Sequence, residues 1–152
     1  MRNNLFLLWG DWGREYGCHF RLSEFENADG LVMVNPSVVR SLELTRFVLC
    51  QQYDREVQII IKDAFRTEAD NKRLGEKLGW TDEGGLVARD SKHLAKYGGI
   101  AVDIVARYRE SEKWTRVPQE ILAAACRDHF DYVKADYKDG HVHADNRERS
   151  KG

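Results

Sequence analysis

Two short segments rich in β-branched residues constrain the fold most: EVQIIIK at residues 56–62 and IAVDIVA at residues 100–106. Runs of this length and composition are typical of buried strands. Near the C-terminus, YVKAD and GHVHAD are expected to pair as a hairpin through DYKDG. Together with helical segments, these strands predict an α+β fold, in which helices pack on one small, mostly antiparallel sheet.

Three helices are predicted around these strands. The first begins after Asn35, a good N-cap residue, and carries an apolar face at helical spacing. The second is capped by Thr67 and ends at Gly79, and the third begins at Pro118. Residues 79–99 are polar and rich in glycine, which predicts a long loop. Loops of this length inside a compact domain usually have a function.

Composition limits the partners that we expect. The length of 152 residues, with 42% hydrophobic and 32% charged residues, predicts a single globular domain over residues 1–152 and a monomer. A formal net charge of −1 gives no electrostatic reason to expect a nucleic-acid or membrane partner. Three cysteines without a CxxC pair predict free thiols in a reducing compartment. The charged end at residues 146–152 is expected to fray.

The apolar run near the N-terminus is too short for the hydrophobic region of a signal peptide. The sequence therefore predicts a protein that is synthesised in the cytoplasm without a signal peptide.

Two of the five histidines, His141 and His143, lie one residue apart in the segment DGHVHAD. Residues i and i+2 of a strand project from the same face, so both imidazoles would point to one side of the sheet. They could bind a metal together, one could bind it while the other moves a proton, or both could simply face solvent.

Further ligands are sought in the segment SKHLAKYGGIAVDI, which contains His93 and Asp103. A carboxylate inside an apolar strand is costly to bury unless it is paired or bound to a cation. Asp103 could also lie on the solvent side of the sheet, where it needs no partner. If His93, Asp103 and His143 converge, they offer three ligands for zinc and leave a fourth position to water, as in catalytic zinc sites. A metal-free binding domain would instead scatter these histidines in space.

The order of these motifs resembles that of a known family. S-x-H, then G-x-A-x-D-[IV], then H-x-H near the C-terminus is similar to the pattern of the zinc D-alanyl-D-alanine carboxypeptidase family, within the lysostaphin/carboxypeptidase/hedgehog group. The segments HFRLSEF and VQIIIKDAFRTEADN extend the resemblance over about residues 19–145. The compact phage and bacterial branch, which contains lysis enzymes, is the most similar in pattern. The resemblance implies a hedgehog-like or D-Ala-D-Ala peptidase-like fold.

The resemblance also implies roles for single residues. His93, Asp103 and His143 fall on the positions of the zinc ligands, with Zn²⁺ as the cofactor. His141 falls on the position of the base or transition-state stabiliser, and Asp139 is an alternative base.

On the substrate side, Arg66 falls on an arginine that binds a substrate carboxylate, and Ser91 on the serine before the first ligand. From the residues alone, Arg66 could equally form a surface salt bridge on its helix. The implied reaction is hydrolysis of a peptidoglycan peptide bond by a metal-bound water, in a carboxypeptidase or an endolysin-like endopeptidase. The protein would reach the cell wall after release or by phage delivery.

Three departures from the family pattern are visible. Nine residues separate His93 from Asp103, more than the family commonly has, and Gly140 replaces a glutamate of the carboxypeptidase branches. The turn before Arg66 reads Lys-Asp-Ala-Phe instead of a Ser-Gly-Tyr-like sequence. The first two departures favour an alternative: a non-catalytic zinc-binding module, structural or wall-binding, such as a phage tail component or a pseudo-enzyme.

Overall fold

The fold is seen in a computed structural model that describes residues 19–80, 87–88 and 90–148. The elements in these ranges are α1 (Pro36–Tyr53), β1 (Val57–Asp63), α2 (Glu68–Leu78), β2 (Ala101–Glu110), β3 (Lys113–Arg116), α3 (Gln119–Arg127), β4 (Tyr132–Lys134) and β5 (Val142–Asp145). Short 3-10 helices lie at Leu22–Phe25 and Ala95–Tyr97. The described elements confirm the predicted α+β fold.

All pairings between these strands are antiparallel, and β2 is the central strand. One edge of β2 pairs with β1 along most of its length. The other edge is shared: β5 pairs with the first half of β2, and β3 with the second half. β4 then pairs with the outer edge of β5. The end of β3 and the start of β5 therefore meet beside the middle of β2.

The helix boundaries follow from their caps. Asn35 Oδ1 accepts a hydrogen bond from Ser37 N at 2.9 Å, which satisfies a backbone donor in the first turn of α1. At α2, Thr67 and Asp70 form a reciprocal capping box, with Thr67 Oγ1 accepting from Asp70 N at 3.1 Å. Both helix starts agree with the sequence prediction.

The core lies between one face of the sheet and the helices α1 and α3. Alternate residues of β2 and β5 face it and are almost fully buried: Val102, Ile104, Ala106, Val142 and Ala144. The predicted apolar face of α1 is confirmed, because Val38, Leu42, Thr45 and Leu49 are all buried. The residues between the core-facing ones, such as Asp103 and His143, project from the opposite face of the sheet.

Two features differ from the sequence prediction. The strand β3 is not predicted, because two of the four residues in KWTR are charged and three of the four are exposed at the sheet edge. The predicted fraying from residue 146 onward also differs from the structure. Asn146 is fully buried, where its side-chain amide donates to Ser37 Oγ at 3.1 Å and Ser41 Oγ at 3.2 Å. These hydrogen bonds tie the chain after β5 to α1, so the predicted fraying is wrong for this residue.

Some predictions fall on residues outside the described ranges, including the N-terminal segment, Cys18 and part of the 79–99 loop. The other two cysteines, Cys50 and Cys126, are free. Burial raises the pKa of the Cys126 thiol to about 12, so this thiol is unreactive at neutral pH. Among the described helices, none is both long and apolar enough to cross a bilayer.

Candidate metal centre

The register of β2 and β5 places Asp103 directly opposite His143. Both side chains lie on the face of the sheet that is turned away from the core. His93 reaches the same point from the loop before the Ala95–Tyr97 turn, and its neighbouring backbone is fixed by a hydrogen bond from Arg66 N to His93 O at 2.7 Å. Two strands and one loop therefore bring the three predicted ligands together.

The ligand atoms of these three residues converge. Asp103 Oδ1 lies 3.0 Å from His93 Nε2 and 3.1 Å from His143 Nδ1, and the two imidazole nitrogens are 3.2 Å apart. All lie within 4.8 Å of one another, close enough to hold one metal ion. His93 is 4% and His143 8% exposed, so both imidazoles are largely shielded from bulk water, while Asp103 is half-buried.

The outer nitrogen of each imidazole has a partner that can only accept a hydrogen bond. His93 Nδ1 forms a short hydrogen bond with the backbone oxygen of Ala64. His143 Nε2 lies 2.7 Å from Asp145 Oδ2. Because a carbonyl and a carboxylate accept only, both outer nitrogens must carry the proton. In the neutral imidazoles, the inner nitrogens then present lone pairs to each other and to Asp103.

Three acceptor atoms at such short distances repel one another unless a cation lies between them. Either a metal ion or added protons on the imidazoles can supply the charge. A histidine that donates its outer N–H to a carbonyl or carboxylate is the usual arrangement around a bound metal, where it sets the tautomer and ring orientation. Two nitrogens and one carboxylate oxygen suit zinc and other first-row divalent metals. The donor set therefore fits a metal ion.

The electrostatics of the three ligands agree with a cation site. Burial opposes ionisation of Asp103, but the charge on His93 and hydrogen bonds from both histidines outweigh it and hold the pKa of Asp103 well below its ordinary value. Burial also opposes charge on His143, yet its hydrogen bonds to Asp103 and Asp145 raise its pKa. A metal must displace that proton, so we expect metal affinity to fall in acid.

Asp145 is held by Arg147, a contact that the sequence did not predict. Arg147 donates to it twice, from Nε to Oδ1 at 2.9 Å and from Nη2 to Oδ2 at 2.8 Å. Burial opposes ionisation of the fully buried Asp145, but Arg147 and His143 outweigh it and lower its pKa to about 2. The arginine keeps Asp145 charged and so fixes the His143 ring. Both residues lie near the motif, but sequence alone does not show that one holds the other.

His141 lies beside the ligand cluster and is not one of its members. Its Nε2 is 3.8 Å from Asp103 Oδ2, the carboxylate oxygen that points away from the other two ligands. Its Nδ1 is 2.5 Å from Asp139 Oδ1, which also accepts from His141 N at 3.1 Å. Because Asp139 can only accept, the proton lies on Nδ1 and the lone pair of Nε2 faces the cluster. The backbone hydrogen bond from His141 lowers the pKa of Asp139.

Tyr137 is a second residue that sequence analysis missed. Its ring stacks on His141 with the centroids 3.9 Å apart and the planes 21° from parallel. Burial and the charge of Asp103 raise the pKa of Tyr137 far above its ordinary value, so its hydroxyl stays neutral. Gln119 also donates to the backbone oxygen of His141 at 2.8 Å. The side chain and the backbone of His141 are therefore both held in place.

Arg66 and Ser91 lie close to the cluster but are bound to other residues. Arg66 Nε donates to Asp63 Oδ2 at 2.8 Å, and its Nη1 donates to Asn71 Oδ1 at 3.0 Å and lies 3.5 Å from Ser91 Oγ. Ser91 Oγ accepts from His93 N at 3.2 Å and so supports the first ligand. Contact of either residue with a substrate stays a prediction.

Comparisons with known proteins add no family assignment. A scan against protein-family models finds no match, and a search of curated proteins finds none either. Any functional assignment must therefore rest on the residues and geometry of this site.

Proposed function

We propose that the protein is a zinc-dependent peptidase that hydrolyses peptide bonds of peptidoglycan. The observation that carries the proposal is the convergence of His93, Asp103 and His143, with an oriented histidine beside them. The proposal includes the hedgehog-like or D-Ala-D-Ala peptidase-like variety of the α+β fold, and action on the cell wall after release or phage delivery.

The residues fit the requirements of amide hydrolysis. When bound, zinc would lower the pKa of a coordinated water to about 7 and polarise the scissile carbonyl. Nε2 of His141 would accept the proton of the attacking water and return it to the leaving amine. Asp139 would stabilise the imidazolium that forms in between, in the same way that a carboxylate orients the base of a hydrolytic triad. Tyr137 would keep the ring from turning.

The contacts of Asp139 and His141 support one of the two candidate bases that the sequence leaves open. Because Asp139 is bound to His141 through two hydrogen bonds, its carboxylate is placed to support the histidine. Asp139 and His141 together would then take the role of the glutamate that the carboxypeptidase branches have at the position of Gly140. We infer His141 as the base and Asp139 as its positioning residue.

The rival proposal is a non-catalytic zinc module. Structural zinc sites usually have four protein ligands, whereas three histidine, cysteine or acidic residues form the cluster in the described part of the chain. Two histidines and one carboxylate also bind iron(II) in oxygenases. The pair of Asp139 and His141 favours hydrolysis over both, because neither a structural site nor an oxygenase needs an oriented base at this point.

Peptidoglycan is proposed as the substrate because the motifs that resemble the D-alanyl-D-alanine carboxypeptidase family are the ones that supply the converging ligands. S-x-H contributes His93, G-x-A-x-D contributes Asp103, and H-x-H contributes both the third ligand and the base.

The test combines metal analysis with digestion of purified peptidoglycan. We expect about one zinc per chain in the purified protein and release of free amino groups from peptidoglycan. His141→Ala should keep its zinc and lose about 10²–10⁴-fold in rate, the usual contribution of a general base. His129→Ala, in the turn after α3 and outside the cluster, is the matched control and should behave as the unaltered protein.

The outcomes separate the proposals. Stoichiometric zinc with no cleavage would favour the non-catalytic module, and stoichiometric iron would favour redox chemistry. Zinc loss in the His141→Ala variant would mean that His141 is a fourth ligand and not the base.

A further inference from the structure

The face of the sheet that carries the metal centre continues into a group of arginines. Along β2, Asp103 is followed on the same face by Val105, Arg107 and Arg109, since alternate residues of a strand share a face. Arg116 of β3 is paired with Arg107 and therefore projects from this face as well. At about 3.3 Å per residue, Arg107 lies about 13 Å along the strand from Asp103.

Two of these arginines are already bound to neighbouring groups. Arg107 Nε donates to Gln58 Oε1 at 2.8 Å, and its guanidinium lies 4.0 Å from the ring centroid of Trp114. Arg109 lies 5.4 Å from the same centroid, and its Nη2 is 3.4 Å from Glu112 O. These contacts give both side chains a role in the β2–β3 hairpin.

Arg116 differs from both. Its residue is exposed, and no hydrogen bond or ion pair joins its side chain to any other residue in the described ranges. Its charge is felt by Asp139, but the oxygen Oδ1 of that carboxylate is already engaged by His141. Its planar group, which can bind a carboxylate through two parallel hydrogen bonds, is thus available to a ligand.

Arg116 lies where the end of β3 comes close to the start of β5, because both strands pair with the same edge of β2. Arg116 is paired with Arg107, and Val142 at the start of β5 is paired with Ile104. The two pairing positions are three residues apart on β2, which is about 10 Å. His141 immediately precedes Val142, so the proposed base lies at this junction.

Gly140 allows the guanidinium of Arg116 to come close to the backbone immediately before the proposed base. A Cβ on Gly140 would lie 3.3 Å from Arg116 Cζ and 3.4 Å from both of its Nη atoms, so the flat group lies over this glycine. Gly140 also has a φ of +84°, which other residues rarely adopt. Both the backbone conformation and the missing side chain let the Arg116 guanidinium lie against the residue that precedes His141 in the chain.

From this geometry we infer that Arg116 binds a carboxylate of the substrate next to the scissile bond. The inference rests on the proposed function and gives Arg116 the role that the family resemblance implies for Arg66. Arg66 is held by Asp63, Asn71 and Ser91, whereas Arg116 is not held by any described side chain. The substrate would then be an acidic peptide, and the preferred bond would be the one beside its free carboxylate.

The test compares two forms of one synthetic peptide, L-Ala-γ-D-Glu-L-Lys-D-Ala-D-Ala, with free or fully amidated carboxyl groups. We expect the zinc-loaded protein to prefer the free acid about 10- to 100-fold in kcat/KM, as a charge-assisted hydrogen bond would give. Arg116→Gln should reduce this ratio to about one, mainly through KM, with unchanged zinc content. Arg116→Lys keeps the charge but not the paired hydrogen bonds and should give an intermediate ratio.

The matched control is Arg109→Gln, an exposed arginine of the same face at the far end of β2, which should leave the ratio unchanged. The side chain of Arg116 forms no described hydrogen bond, so its variants should fold, and circular dichroism checks this. Retention of the full ratio in Arg116→Gln would overturn the inference while the proposed function stands. If Arg66→Lys is the only variant that loses the preference for the free acid, Arg66 and not Arg116 binds the substrate carboxylate. If the zinc-loaded protein cleaves neither peptide nor peptidoglycan, the proposed function fails and the inference falls with it.

Discussion

The two faces of the central sheet use adjacent residues for different purposes. On one face, Val102 and Ile104 of β2 are completely buried against the helices. On the other face, Asp103 between them reaches two imidazoles and lies near a third. The apolar face tolerates changes that preserve volume, whereas Asp103 and His143 on the other face are each fixed by named hydrogen-bond partners. Stability and chemistry can therefore be changed separately within one strand.

The strongest test of this separation is Asp103→Asn. The amide keeps the size of the side chain but removes the negative charge from the ligand cluster. We expect loss of peptidase activity and a fall in zinc affinity of more than about 100-fold, beyond the 10- to 100-fold that is typical of residues behind a ligand. Competition with a zinc-sensitive chelator dye measures the affinity. Unchanged affinity would show that Asp103 is not a ligand.

The neighbouring substitution Ile104→Ala tests the core face. It leaves a cavity beneath the sheet, and such changes cost about 2–5 kcal/mol in the free energy of unfolding. Urea unfolding of the metal-free protein measures this loss. The zinc affinity of the folded protein should stay within about 3-fold of the unaltered value, since no ligand is removed. A large loss of affinity in the folded variant would mean that the two faces are not independent.

A smaller effect is expected from Asp145→Asn, behind the His143 ligand. The amide can present its NH₂ group to His143 and no longer holds the ring through a charged acceptor. Zinc affinity should fall about 10- to 100-fold, with the fold retained. Asp131→Asn, an exposed carboxylate beside β4, is the control and should not change the affinity.

The low pKa of Asp145 predicts that the stability of the folded protein depends on pH. Its pKa of about 2 is below the ordinary 3.8, so its ionised form stabilises the folded state. This contribution to the free energy of unfolding is worth about 2 kcal/mol. It is complete above pH 3.8 and is lost as the pH falls toward 2. In urea unfolding of the zinc-free protein between about pH 5 and 2, Asp145→Asn should therefore lose less stability on acidification. Parallel curves for the two proteins would contradict this.

The smallest effect is expected at Tyr137. Removal of the stacked ring in Tyr137→Ala should lower kcat about 2- to 10-fold, the usual worth of an aromatic pair. Tyr137→Phe keeps the ring and should retain nearly full activity. If Phe is as poor as Ala, the hydroxyl and not the stacking is the important group. Zinc content should be unchanged in both variants, because Tyr137 is not a ligand.

Much of the fold could be predicted from local patterns. The caps at Asn35 and Thr67 mark the helix starts, because a cap depends on a few adjacent residues. β3 could not be predicted, since its charged residues are stabilised by pairing with β2 and not by burial. Asn146 was missed for a similar reason: its partners are on α1, more than a hundred residues away in the chain.

In the candidate site, too, local patterns could be predicted and contacts between distant residues could not. The candidate ligands could be predicted because their residue types are unusual in their places, such as a carboxylate in an apolar strand. The groups that orient them could not, because Tyr137, Arg147 and the backbone oxygen of Ala64 have no distinctive pattern. Arg66, which the resemblance singled out, is bound to Asp63 and Asn71, and its contact with a substrate stays a prediction. Arg116, whose side chain has no hydrogen-bond partner among the described residues, lies in the strand that was not predicted.

By itself, the sequence determined which residues of each strand share a face, since the two-residue period of a strand is a local property of the backbone. It therefore separated Asp103 and His143 from the apolar residues beside them. Only the tertiary structure decided that these two residues are directly opposite each other and that His93 joins them. That meeting depends on strand order, register and loop path, which result from packing across the whole domain.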